Sequence, residues 1–97
     1  MTSEPVRITV VTAPGCHLCD DARAALDVLA ADHPLEVAVV DARSSEGLEL
    51  LSVHRAAMNP LVVVDGRFFS SGRLPRGKLH ALLESRAETA LTGAGHG

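Results

Sequence analysis

The 97-residue chain has no Trp and no Tyr, and its only aromatic residues are Phe68 and Phe69. It therefore has no aromatic platform on which successive bases could stack. Basic charge is also scarce. Nine Lys and Arg stand against twelve Asp and Glu, for a net charge of −3, and the basic residues are scattered. A nucleic-acid footprint is not expected. No run approaches the roughly 20 apolar residues that span a bilayer, so no membrane partner is expected. Met1-Thr2-Ser3-Glu4-Pro5 is short and polar and lacks a signal-peptide pattern. A cytoplasmic setting is the resulting expectation. Cysteine is sparse too: Cys16 and Cys19 are the only two. A lone pair in a reducing compartment is seldom a structural staple.

What remains is an aliphatic, ordinarily charged composition, with 46% hydrophobic and 22% charged residues. That fits one small domain over 1–97, expected as a monomer, with a core over about 6–86. Val6 to Val11 reads as a strand, and Ala13-Pro14-Gly15 breaks it. Leu18, Ala22, Ala25, Leu26 and Leu29 recur at helical spacing from Cys16 or His17 to Ala31, until His33-Pro34 stops the helix. Leu35 to Val40 reads as a second strand. Ser44 or Ser45 caps a short helix from Glu46 to about Val53, with Leu48, Leu51 and Ser52 as its inner stripe and Leu50 beside it. His54 to Asn59 is a loop. Leu61 to Val64 and Arg67 to Ser70 flank Asp65-Gly66, a strong two-residue hairpin signal. One of Phe68 and Phe69 belongs to the core and the other to the surface, because neighbours in a strand face opposite ways. Pro75 opens a last helix with Leu79, Leu82 and Leu83 on its apolar face, and 89–97 reads as a frayed tail.

The order is β-α-β-α-β-β-α, an α/β chain with a parallel first pair of strands and a terminal antiparallel hairpin. At the first strand-to-helix junction stands Cys16-His17-Leu18-Cys19. Two thiols at this spacing can close a disulfide within one helical turn. At a helix N-terminus the first thiol is ionised more easily than a free one, because unpaired N–H groups and the helix dipole favour its anion.

Pro14-Gly15-Cys16-His17-Leu18-Cys19 after strand one, Asn59-Pro60 before the Leu-Val-Val-Val-Asp-Gly hairpin, and Gly72 before the last helix resemble the glutaredoxin/thioredoxin superfamily. The resemblance covers about residues 6–86 and is nearest to small bacterial glutaredoxin-like proteins with a Gly-Cys-His-Leu-Cys-Asp segment. It implies a minimal thioredoxin fold, a four-stranded mixed sheet flanked by helices. It also implies a thiol–disulfide oxidoreductase in which Cys16 is the nucleophile and Cys19 resolves the mixed disulfide. Asn59-Pro60 would be cis and would turn the Asn59 backbone toward substrate. His17, Gly72 and Arg73 complete the expected substrate rim, with Arg76 as a second candidate for a carboxylate. His54 and Arg55 precede the Pro60 loop and are weaker candidates for that rim.

The chain also departs from the family pattern. Leu18 stands where many glutaredoxins have Tyr, Ala13 where a basic residue is common, and Asn59 where Val precedes the cis-Pro. Ser70-Ser71-Gly72-Arg73 replaces the Gly-Gly and Asp pattern that grips glutathione. Gly15 replaces thioredoxin's Trp, and Val10 its buried Asp. The fold resemblance survives these changes, while glutathione as the partner does not follow. Expected partners are disulfide-bearing proteins or small thiols. No cofactor is expected to be bound, and a low-molecular-weight thiol or a reductase would act as electron donor. Two alternatives stand beside this reading. One is a zinc or Cu(I) module using Cys16, Cys19 and a histidine, although a closed zinc site needs four ligands. The other is an adaptor without turnover.

Overall fold

β1 (Val6–Thr12) is the spine of the sheet, and its alternation sets the layers. Val6, Ile8 and Val10 turn to one face and Val11 to the other. The computed structural model describes residues 5–96, with side chains described through Arg86. The strand order is β2-β1-β3-β4. β2 (Leu35–Asp41) lies parallel to β1. β3 (Leu61–Val64) is antiparallel to β1, and β4 (Arg67–Ser71) is antiparallel to β3. This is the mixed four-stranded sheet of the minimal thioredoxin fold.

α1 (His17–Ala30) buries Cys19, Ala22, Ala25 and Leu26 along one stripe. It shares the Ile8 face of the sheet with α3 (Arg76–His96), whose Leu79 and Leu83 meet Val62 and Val64. Burial of Leu26, Leu79 and Leu83, at 1%, 0% and 2% exposure, contributes about 1.5–3 kcal/mol each. α2 (Ser45–Val53) covers the opposite face, where Leu50 and Leu51 pack on Val11, Val40, Leu61 and Val63.

Two details differ from the sequence reading, and a third, a bulge in β4, sets which of the two phenylalanines is the core one. The inner side of α2 is Gly47, Leu50 and Leu51, while Leu48 is 58% exposed and Ser52 is exposed. The cause is a close approach at Gly47. A Cβ there would run into the Asp41 carbonyl oxygen and lie 2.9 Å from Ala42 Cα, so only glycine lets α2 sit so near the end of β2. In β4, a register shift opposite Val62 and Val63 makes Phe69 an extra residue. Phe69 packs on the α1–α3 side, with Lys78 Nζ 5.3 Å from its ring centroid, and Phe68 is exposed. Finally, α3 is helical to His96, across most of the stretch read as a frayed tail. Gly97 lies outside the described residues, as do the side chains from 87 onward.

The hairpin follows its sequence signal. Asp65 and Gly66 both have positive φ, 49° and 82°, as a right-twisted two-residue turn requires. The Arg7 N–H donates to Asp65 Oδ1 at 2.9 Å, and Arg86 pairs with the other carboxylate oxygen. These contacts hold the Asp65 carboxyl below its usual range, the Arg7 bond being the larger cause.

Candidate active site

After Thr12 the chain turns through Ala13-Pro14-Gly15, and Gly15 takes a left-handed φ of 67°. That turn delivers Cys16 to the N-cap of α1, with extended backbone angles of −96° and 107°. Ser, Thr, Asp or Asn usually accepts an unpaired N–H at this position. Here a sulfur does so: the Cys19 N–H donates to Cys16 Sγ at 3.1 Å. The Asp20 N–H donates to the Cys16 carbonyl at 3.2 Å and closes the first turn. One turn deeper, Cys19 faces the core and is 2% exposed, whereas Cys16 is half-buried at the surface. The two sulfurs are joined as a disulfide across Cα atoms 5.2 Å apart, within the span such bridges use. The pair is thus asymmetric, with one sulfur at the rim and one behind it.

Across from Cys16 runs the loop that follows α2. It begins with a helix stop in which the Ala56 N–H donates to the Leu51 carbonyl and the Arg55 N–H to the Ser52 carbonyl. This is a Schellman arrangement, and its left-handed position is held by Arg55 at φ 51° rather than by glycine. The loop is fastened to β4 by Ser71, whose Oγ accepts from the Met58 N–H at 3.1 Å and donates to the Met58 carbonyl at 2.8 Å. The Asn59–Pro60 peptide is cis. The Asn59 carbonyl oxygen lies 3.9 Å from Cys16 Sγ. Asn59 Oδ1 is buried and has no hydrogen-bond partner among the described residues.

Pro60 is fully buried, and its carbonyl accepts from the Gly72 N–H at 3.0 Å. Gly72 itself is buried at φ 97°, against the Met58 sulfur. Cys16, Cys19 and Asn59 therefore meet directly, and Pro60 and Gly72 join them through the backbone. His17 and Arg73 are exposed and, among the described residues, form no ion pair. His54 caps the end of α2, and Arg55 follows it at a left-handed φ. Arg76, the second rim candidate, is committed to Asp21 of α1. That pair ties the start of α3 to the dithiol helix and offsets one of the two acids after Cys19.

On the other side of Cys19 lies a groove of about 420 Å³, lined by Thr12, Pro14, Cys19, Asp20, Arg23 and Asp41 among others. Arg43 bonds Asp41 through its guanidinium and its N–H, which holds the Asp41 carboxyl below the usual range. The groove was not foreseen from sequence. Its one sequence signal is Arg23, which follows Cys19 at the i+4 spacing that puts two side chains on one helix face. Among the described residues, no group of three metal-ligating side chains includes Cys16 or Cys19. No described helix is long and apolar enough to cross a membrane.

Known structures share this fold. A thioredoxin-like protein from Clostridium perfringens superposes with a TM-score of 0.69 at 13% identity, over 87% of this chain and 72% of its own. A protein from Nitrosomonas europaea gives 0.68 at 22% identity, over 86% and 96% of the two chains. Thioredoxin from Fasciola hepatica gives 0.62 at 24% identity, over 84% and 81%. A search of curated proteins finds no match to this chain. At the level of sequence families, the glutaredoxin-like domain (DUF836) matches residues 7–84, a stretch that holds the dithiol, the Asn59–Pro60 loop and Gly72. The chain belongs to the glutaredoxin-like domain family.

Proposed function

We propose that this protein is a thiol–disulfide oxidoreductase in which Cys16 attacks and Cys19 resolves. The observation that carries the reading is the asymmetry of the pair. Cys16 Sγ is at the rim and accepts the Cys19 N–H, a bond that strengthens when the sulfur is an anion. Cys19 is buried one turn behind it. In the reducing direction, the Cys16 thiolate attacks one sulfur of a substrate disulfide. A Cys16–substrate disulfide forms and the other substrate sulfur leaves as a thiolate. Cys19, losing its proton, then attacks Cys16 Sγ, and the second substrate sulfur leaves. Two electrons have passed to substrate and the Cys16–Cys19 disulfide remains.

A low-molecular-weight thiol or a reductase of the dithiol class restores the pair. The Asn59 backbone, Pro60 and Gly72 form the floor on which an extended disulfide-bearing segment lies, with exposed Met58, His17 and Arg73 around it. No bound cofactor is needed for this cycle, and the setting proposed is the cytoplasm.

The test is reduction of a protein disulfide by the chemically reduced protein. The wild type should complete the reaction. Cys16→Ser should abolish it, and Cys19→Ser should stop at a stable mixed disulfide through Cys16. Full activity in Cys16→Ser would overturn the proposal.

A further inference from the structure

Beyond the far end of α1 stands a second cluster that the dithiol chemistry does not use. His33 follows the helix just before Pro34 and is 8% exposed, with its backbone N–H donating to the Leu29 carbonyl at 2.9 Å. His80 and Glu84 lie one turn apart on α3, so they share a face. His33 Nε2 is 3.3 Å from Glu84 Oε2, and His80 Nε2 is 3.9 Å from the same oxygen. One ligand atom from each of the three residues falls within 4.8 Å of the others.

We propose that His33, His80 and Glu84 bind a divalent ion of the zinc class. Two imidazoles and one carboxylate are a donor set that suits zinc. Bonds of about 2.0–2.2 Å in a tetrahedron put neighbouring donors about 3.4 Å apart. The His33–Glu84 spacing already meets that distance. The His80 and Glu84 side chains, 59% and 53% exposed, are free to close the remaining gap. His33 is held by burial and supplies the fixed ligand. Water would complete the fourth position, since three protein ligands leave it open. The fourteen residues of α1 run about 20 Å at 1.5 Å per residue from Cys16 toward His33, so the two sites can be assayed apart.

The experiment titrates Zn²⁺ into the disulfide form of the full chain, which removes the thiols as competitors. Isothermal calorimetry should give one ion per chain, the unfolding midpoint should rise, and the imidazole NMR signals of His33 and His80 should shift. His80→Ala and Glu84→Gln change exposed side chains and should each weaken binding at least tenfold while leaving disulfide reduction intact. No saturable binding, or binding unchanged in both variants, would overturn the proposal.

Discussion

Gly47→Ala tests the packing that orients α2. In an ordinary helix this change is stabilising by about 1 kcal/mol, because alanine is the better helix former. Here the new methyl would strike the Asp41 carbonyl oxygen and come within 2.9 Å of both the Asp41 carbonyl carbon and Ala42 Cα. All three are backbone atoms, so no side-chain rotation relieves the contact. Either α2 lifts from the sheet and loosens Leu50 and Leu51, or the end of β2 moves. Overpacking of this kind costs about 1–3 kcal/mol and can cost more. With only backbone atoms in the way the cost falls at the upper end of that range, and set against the propensity gain it leaves a net loss of about 2 kcal/mol. In a domain of this size each kcal/mol moves the unfolding midpoint by about 4–8 °C. Gly77→Ala is the matched control, since a Cβ there meets nothing within 4 Å among the described residues. Thermal unfolding followed by far-UV circular dichroism should show Gly47→Ala several degrees below wild type and Gly77→Ala level or slightly above. A midpoint for Gly47→Ala at or above wild type would refute the close-approach argument.

Two further outcomes follow from the backbone. Arg55→Gly should stabilise the protein by up to about 1 kcal/mol, because the left-handed position at the end of α2 strains any side chain-bearing residue; chemical denaturation measures it, and a loss would contradict the Schellman reading. Asp65→Asn should leave the turn intact and remove the carboxylate. The folded Asp65 carboxyl is depressed by the Arg7 N–H and by Arg86. Its contribution is therefore present above the unfolded carboxyl range, near pH 4 by ordinary values, and is lost as the pH falls through the depressed folded value. Wild type should exceed Asp65→Asn in stability at neutral pH, and the gap should close on acidification. A gap that is constant with pH would mean that the carboxylate charge contributes nothing.

Much of the architecture was legible in the chain because it rests on local pattern. The alternation of Val6, Ile8 and Val10, the Asp65-Gly66 turn, and the leucine spacing of α3 each encode one element and its buried face. The dithiol was legible because its chemistry needs two cysteines one turn apart at a helix start. Through-space relations were not. Gly47 reads as a poor helix residue until the Asp41 carbonyl is seen beneath it. Arg55 gives no hint of a left-handed backbone, which usually advertises itself through Gly or Asn. Which of Phe68 and Phe69 packs on the core is set by the extra residue at Phe69, and a bulge leaves no mark in the pattern of that short strand. Arg76 looked available for a substrate carboxylate, but Asp21 on another helix already holds it. His80 and Glu84 share a face of α3 by their spacing, but His33 is brought to them only by the packing of the end of α1 on α3.

The central claim is the division of labour between the two cysteines. Limiting iodoacetamide applied to the fully reduced protein at neutral pH, followed by peptide mass spectrometry, tests it most directly. Cys16, at the rim and bonded by the Cys19 N–H, should be alkylated at least tenfold faster than buried Cys19, and blocking it should abolish disulfide reduction. Equal labelling of the two, or preferential labelling of Cys19, would contradict the assignment.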